Sequence, residues 1–158
     1  MPILSRAIFQ AVHWKSRRGL LDEAIVARTT GKELARRTGV RGETYAYWYL
    51  RRHGYVFVAR NYMPNGVKGE IDLIGYDGET LAFVEVRTRT VREEGISGLP
   101  ELSVTPEKQH VVVRAAQRYL AQRHLTDCPV RFDVVAIDNQ LGQPPVVRLH
   151  KDAFSPQM

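Results

Sequence analysis

The chain has 158 residues, of which 44% are hydrophobic and 25% charged, and this composition is typical of a single folded domain with a sizeable core. Its net charge of +6 favours acidic partners, and its single cysteine, Cys128, excludes an intramolecular disulfide and a cysteine-rich zinc site. Because no apolar segment is long enough to cross a bilayer and the N-terminus lacks the layout of a secretory signal, we expect a cytoplasmic protein without a membrane partner.

The first elements in chain order belong to a basic N-terminal arm. Residues 1–41 contain nine Lys or Arg and three Asp or Glu, which gives +6, whereas residues 42–158 contain fourteen of each sign. We interpret residues 1–38 as this arm, either helical, with short helices over 3–14 and 20–29, or mobile. The charge could steer the protein toward nucleic acid or could belong to a solvated tail, and the sequence leaves both open.

The folded domain is predicted to occupy residues 39–155. The pattern predicts a helix over 43–53, a strand over 56–60 and a hairpin whose strands span 70–76 and 80–89. Residues 91–104, with two glycines and a proline, are typical of a mobile loop. Thr105 and Pro106 then indicate the start of a helix that runs to about residue 124, and strands over 130–137 and 146–150 follow. The resulting order, α-β-β-β-α-β-β, is that of a mixed α/β fold.

The predicted hairpin carries two carboxylates in otherwise apolar sequence. If Asp77 and Gly78 form a type I′ turn, Asp72 faces Phe83, and Glu85 lies two residues further along the same face. Diagonal neighbours of this kind are about 7–8 Å apart, so both carboxylates could bind one Mg²⁺ or Mn²⁺ ion. The alternative is a pair of ordinary charges on a solvated face of the sheet. The apolar residues on both sides of these strands argue against it.

The same residues resemble a known nuclease motif. Asp72 followed by Glu85-Val86-Arg87 resembles the Asp…Glu-x-Lys motif of the PD-(D/E)xK nuclease superfamily. Further segments along residues 39–150 are similar, in order, to the bacterial YraN family: Gly42-Glu43, Arg60-Asn61-Tyr62, 69–74, 83–89, Val104-Thr105-Pro106 with Lys108, and 131–135. That family looks like a relative of the archaeal Holliday-junction resolvases. The resemblance therefore implies a restriction-endonuclease-like core, a central mixed β-sheet flanked by helices.

The resemblance also implies the roles of individual residues. Asp72 and Glu85 would be the metal ligands, and Glu43 would correspond to the catalytic glutamate that the resolvases carry on their first helix. Arg87 stands where the motif has lysine. An arginine keeps the positive charge and binds phosphate, but it stays protonated and cannot act as a general base. Lys68 and Lys108 are candidate substitutes for the missing lysine.

Further basic residues near the motif are candidate contacts with nucleic acid. Lys68, Arg89 and Lys108 could each bind the phosphate backbone, although Arg89 could instead form an ordinary salt bridge and Lys108 could be a solvated lysine. The tyrosines and the two tryptophans are interpreted as packing residues.

Three functional hypotheses follow from these patterns. The first is a metal-dependent endonuclease that hydrolyses phosphodiester bonds, with DNA as the expected substrate and branched DNA as one form of it. The second is a nucleic-acid-binding module on the same fold that cleaves weakly or not at all, because the motif lysine is Arg87. The third is an interaction protein in which the acidic cluster is structural. By analogy with the resolvases, a homodimer is an expected form.

Overall fold

The computed structural model describes residues 2–91 and 104–156. Within these two ranges, three helices precede the first strand, and a fourth lies between the third and fourth strands. The helices are α1 (Pro2–Lys15), α2 (Glu23–Arg28), α3 (Gly31–Arg52) and α4 (Pro106–Gln122). The strands are β1 (Val56–Tyr62), β2 (Ile71–Asp77), β3 (Thr80–Val91), β4 (Val130–Gln140) and β5 (Val146–His150).

The five strands form one mixed sheet in the order β1-β2-β3-β4-β5. The pairs β1–β2, β2–β3 and β4–β5 are antiparallel, and the central pair β3–β4 is parallel. A parallel pair needs a long crossover connection, and α4 lies within it. From α3 onward the order is α-β-β-β-α-β-β, so the predicted mixed α/β architecture is confirmed.

Helices cover both faces of the sheet. On one face, α1 and α3 bury Phe9, Tyr45 and Leu50 against Val84 and neighbouring residues of the sheet. On the other face, α4 buries one stripe of its surface: Val112, Ala115, Ala116 and Tyr119. Because both faces are covered, the central strands are apolar on both sides. A carboxylate on such a strand is consequently placed at the boundary of a core.

Helix α3 is much longer than predicted, since it begins at Gly31 rather than at residue 43. The prediction began the folded domain at residue 39 and the helix at residue 43, and a glycine within a helix costs about 1 kcal/mol relative to alanine. The helix nevertheless continues through Gly39 and Gly42. Gly42 is buried, and a Cβ atom there would overlap the side chain of Thr88 on β3. The absence of a side chain at position 42 therefore sets the distance between α3 and the sheet.

The basic N-terminal residues are helical and packed onto the domain. Phe9 of α1 contacts the rings of Tyr45 and Tyr49, and His13 Nδ1 lies 2.6 Å from Tyr45 Oη. The backbone N–H of Leu20 donates a hydrogen bond of 2.8 Å to Oδ1 of the buried Asn139 on β4. The predicted boundary between residues 38 and 39 falls within α3, so no linker separates the two segments there.

The hairpin turn differs from the prediction by one position. Asp77 pairs with Thr80, so Gly78 and Glu79 form the two-residue turn, instead of Asp77 and Gly78. Gly78 has φ +63° and Glu79 is not among the residues with positive φ. This is the pattern of a II′ turn, which needs glycine only at its first central position. The shift moves every cross-strand partner by two residues and therefore keeps each side chain on its expected face.

The predicted mobile loop at 91–104 lies, apart from its two end residues, outside the described part of the chain. Across the ranges 2–91 and 104–156, no helix is long and apolar enough to cross a membrane.

We expect Gly42→Ala to lower the free energy of unfolding by about 1–3 kcal/mol, because the added methyl group overlaps Thr88 at a tightly packed contact. Gly39→Ala is the matched control on the same helix, since a Cβ there meets no atom within 4 Å. It should stabilise the protein by up to about 1 kcal/mol through helix propensity. Urea unfolding followed by circular dichroism measures both. Equal effects of the two substitutions would contradict the packing argument.

Candidate metal and phosphate site

The β2–β3 hairpin places Asp72 and Glu85 opposite one another. The register pairs Leu73 with Val84, and its continuation by one residue brings Asp72 to Glu85. Asp72 Oδ2 accepts a hydrogen bond of 2.7 Å from the backbone N–H of Val86, which fixes its carboxylate against β3. The two residues are therefore directly opposite on adjacent strands, instead of in the diagonal arrangement predicted from a type I′ turn.

Glu85 is the most buried acidic group of this site, with 2% of its surface exposed. Its Oε1 atom contacts two cations, Arg87 Nη2 at 2.9 Å and Lys108 Nζ at 3.3 Å. Its Oε2 atom is buried and has no hydrogen-bond partner among residues 2–91 and 104–156. A buried carboxylate oxygen without a partner is costly in a folded protein. This oxygen is therefore available to a further ligand.

Lys108 reaches the site from the first turn of α4. Thr105 is the N-cap of that helix, and its Oγ1 accepts a hydrogen bond of 3.3 Å from the N–H of Lys108. Pro106 occupies the first helical position. A cation in the first turn is opposed by the helix dipole, so its ion pair with Glu85 supplies the compensating attraction. Of the two lysines considered as substitutes for the motif lysine, Lys108 is the one that contacts the carboxylate pair.

Arg87 points into the same site from β3. Its Nη2 atom pairs with Glu85, while its buried Nε has no hydrogen-bond partner in the described residues. The side chain is 29% exposed, so part of the guanidinium faces solvent. Arg87 and Lys108 together bring two positive charges against the two carboxylates. The charges of the four side chains thus balance when all are ionised.

Burial perturbs the acid–base chemistry of both carboxylates. Desolvation and the nearby Asp72 carboxylate raise the pKa of Glu85 to about 7, although Lys108 and Arg87 oppose the shift. The pKa of Asp72 is also raised, chiefly by burial, while the N–H of Val86 acts in the opposite direction. Such clustering of displaced carboxyl pKa values in one place is typical of functional sites.

Glu43 lies beside this pair on α3. The close contact between Gly42 and Thr88 brings the part of α3 that carries Glu43 against β3. Burial and the charge of Asp72 raise the pKa of Glu43 to about 6, and Arg60 opposes the shift. Glu43 therefore belongs to the electrostatic surroundings of the site.

The other predicted phosphate contacts have different surroundings. Lys68 is exposed in the connection between β1 and β2 and forms no ion pair within the described residues. Arg89 lies two residues beyond Arg87, and its Nε atom is 2.6 Å from Asp138 Oδ1 on β4. Arg148 of β5 also contacts Asp138, at 2.7 Å. Asp138 and Arg148 were not among the residues predicted from the sequence, because their proximity depends on the pairing of three strands.

The residues present are compatible with a hard divalent cation. In the two stretches that the structure describes, no group of three or more His, Cys, Asp or Glu could hold a metal ion. Mg²⁺ does not need such a group, because it binds to proteins through one or two carboxylates and takes its other oxygens from water and phosphates. Asp72 and the unpartnered Oε2 of Glu85 provide that donor set.

The fold and the two facing carboxylates define the class of protein. The mixed sheet, with helices on both faces and with Asp72 and Glu85 on adjacent strands, is a restriction-endonuclease-like core. Within that class, residues 42–137 match the model of the uncharacterised protein family UPF0102. The chain belongs to this family, and the predicted membership of the YraN family, which is the same group, is confirmed.

Curated relatives support this assignment over most of their length. A UPF0102 protein from Geobacter sulfurreducens is 46% identical over 116 residues, which is 73% of this chain and 87% of the relative. One from Geotalea uraniireducens is 45% identical over 116 residues, with the same coverage of both chains. One from Koribacter versatilis is 41% identical over 119 residues, or 75% of this chain and 79% of the relative.

We expect Glu85→Gln to become increasingly stabilising, relative to the wild type, as the pH rises from about 5 to about 8 in the presence of EDTA. The folded-state pKa of Glu85 is about 7 and its ordinary value is 4.5, so the folded protein binds the proton more tightly than the unfolded chain. Stability from this group is present at low pH and is lost as the pH rises through 7. The measurement is the difference in Tm between variant and wild type at each pH.

Glu79→Gln is the matched control for this experiment, because it removes an exposed carboxylate at the hairpin turn. It changes the net charge by the same amount as Glu85→Gln, but the carboxylate that it removes is not buried. A Tm difference for Glu85→Gln that is independent of pH, or that falls as the pH rises, would contradict the assignment of a raised pKa to Glu85.

Proposed function

We propose that this protein is a divalent-metal-dependent endonuclease that hydrolyses phosphodiester bonds in DNA. The observation that carries the proposal is the pairing of Asp72 with the buried Glu85, whose Oε1 contacts Arg87 and Lys108 while its Oε2 has no hydrogen-bond partner in the described part of the chain. Two carboxylates alone would repel a phosphate. When two cations and a metal ion lie beside them, the two carboxylates can form part of a site that binds a phosphate.

Asp72 and Glu85 are proposed to hold Mg²⁺ or Mn²⁺. When bound, such an ion polarises the phosphate and makes water a stronger nucleophile at neutral pH. Arg87 supplies the positive charge of its guanidinium, which stabilises the charge that develops on the phosphate oxygens. Arginine can donate two parallel hydrogen bonds to a phosphate, so its planar head group also orients the scissile group.

Lys108 is proposed to take over the position of the motif lysine. Its Nζ lies 3.3 Å from Glu85 and its side chain is 30% exposed, so it reaches the carboxylates and a substrate at the same time. From there its ammonium group can donate hydrogen bonds to the attacking water and to the scissile phosphate. Glu43 supplies a further carboxylate that can orient this water, at the side of the site that α3 forms.

A binding module without cleavage is the rival function, and the carboxylates argue against it. Binding to the phosphate backbone is favoured by Lys and Arg and opposed by Asp and Glu. A module that only binds DNA gains nothing from a buried Glu85 facing Asp72. A nuclease needs both groups for the metal, and the stability lost by burying them is then the cost of a functional site.

We expect Asp72→Asn to abolish cleavage of DNA in Mg²⁺ or Mn²⁺, with a loss of at least about 10²-fold, because the variant loses a metal-binding charge. The assay compares labelled four-way-junction, flap and linear duplex DNA at low salt, with EDTA as the metal-free reference. Asp127→Asn, which removes an exposed carboxylate after α4, is the matched control and should cleave as the wild type does.

Lys108→Met should lower the cleavage rate by about 10²-fold while keeping the apolar part of the side chain. Arg87→Lys retains a cation at the motif position and should cleave at least as fast as the wild type. Absence of cleavage by the wild type together with cleavage by Arg87→Lys would favour the binding module. Cleavage that persists in Asp72→Asn, or in EDTA, would contradict the proposal.

A further inference from the structure

A cluster of aromatic and arginine side chains lies on α3 and the edge strand β1. The ring centroid of Tyr47 is 5.0 Å from that of Trp48 and 5.1 Å from that of Phe57. The guanidinium of Arg60 lies 4.7 Å from the centroid of Tyr47, and that of Arg51 lies 5.7 Å from Tyr47 and 5.8 Å from Trp48. We call these five residues the Tyr47 cluster.

The Tyr47 cluster adjoins the candidate site. Glu43, Tyr47 and Arg51 follow one another at intervals of four residues, so they form a stripe on one face of α3. Arg51 Nη1 donates a hydrogen bond of 3.1 Å to Tyr47 Oη, which joins the last two members of the stripe. Arg60 lies over Tyr47 and also acts electrostatically on Glu43. The stripe therefore leads from the carboxylates to the aromatic rings.

The exposure and charge of the Tyr47 cluster suit an anionic ligand with flat rings. Tyr47, Trp48 and Phe57 are all partly exposed. Neither Arg51 nor Arg60 forms an ion pair with a carboxylate within residues 2–91 and 104–156. Both cations instead lie over aromatic rings. Aromatic faces combined with arginines are the chemistry by which proteins bind unpaired bases and the adjoining phosphates.

We propose that the Tyr47 cluster binds an unpaired base of single-stranded nucleic acid. The base stacks on the ring of Trp48, whose orientation is fixed by the perpendicular ring of Tyr47, and Arg51 and Arg60 contact the phosphates next to it. The inference rests on the proposed nuclease function for the identity of its substrate, but the binding itself needs no cleavage. A strand held in this way continues past Glu43 toward Asp72, so the preferred substrates are flaps, gaps and loops rather than continuous duplex.

The test is equilibrium binding in EDTA, measured by fluorescence anisotropy. The probes are a fluorescein-labelled oligodeoxythymidine of about 12 nucleotides and an abasic oligomer of equal length, which keeps the phosphates but has no bases. The wild type should bind the first at least about tenfold more tightly than the second. An oligouridine of equal length is a third probe, and the ratio of its affinity to that of oligodeoxythymidine tells whether RNA or DNA is preferred.

Tyr47→Leu keeps the apolar bulk and removes the ring that fixes the orientation of Trp48. It should weaken binding of oligodeoxythymidine about tenfold and leave binding of the abasic oligomer unchanged. Tyr49→Leu is the matched control, since Tyr49 is a partly buried aromatic on the same helix whose ring contacts Phe9 and His53 instead. It should bind both oligomers as the wild type does.

A second readout reports stacking directly. In a Trp14→Phe background the emission comes from Trp48 alone, because the chain has two tryptophans. Oligodeoxythymidine should quench this emission and the abasic oligomer should not.

The proposal is overturned if the wild type binds neither oligomer, binds both equally, or loses affinity equally with Tyr47→Leu and Tyr49→Leu. Base-dependent binding by a protein that cleaves no DNA would support this inference while contradicting the proposed nuclease. Metal-dependent cleavage with equal binding of the two oligomers would support the proposed nuclease while contradicting this inference.

Discussion

The candidate site depends on two carboxylates that are buried on the adjacent strands β2 and β3. It depends equally on the cations that offset the energetic cost of burying them. Asp72 and Glu85 would repel one another in a poorly hydrated place, and Glu85 is nearly inaccessible to water. Arg87 from β3 and Lys108 from α4 both contact Glu85 Oε1, and the N–H of Val86 binds Asp72. Helix α4 is held near the site by this ion pair as well as by its apolar stripe. The crossover that joins β3 to β4 thus also supplies charge to the site.

On the opposite face, the position of α3 depends on a missing side chain. Gly42 lets the helix approach Thr88, and this approach places Glu43 near Asp72 and turns Tyr47 and Arg51 toward β1. The proposed metal site and the proposed base-binding surface therefore share one helix. They differ in chemistry, because the metal site consists of poorly hydrated carboxylates and cations, whereas the base-binding surface consists of partly exposed aromatic rings and arginines.

The sequence was sufficient for the order of the elements, which hydrophobic periodicity and turn residues indicate, and for the common face of Asp72 and Glu85, which strand alternation fixes. It misplaced the register, since Asp77-Gly78 and Gly78-Glu79 are both acceptable turns and only the backbone conformation at Glu79 distinguishes them. It also ended α3 too early at its N-terminus, because propensity counts Gly39 and Gly42 against a helix, whereas tertiary packing favours it. The contact of Lys108 with Glu85 could not be predicted, since the length of the intervening connection does not fix where the first turn of α4 lies.

The hydrogen bond between Leu20 and Asn139 has a consequence for the electrostatics of the whole molecule. All of the net positive charge is carried by residues 1–41, and the segment that matches the family model begins only at residue 42. Since Leu20 is joined to the buried Asn139 and Phe9 is packed on α3, these charges are held at defined positions rather than distributed over a fluctuating tail. These residues therefore contribute a fixed component to the dipole moment of the molecule, and such a component would orient it in the field of a polyanion.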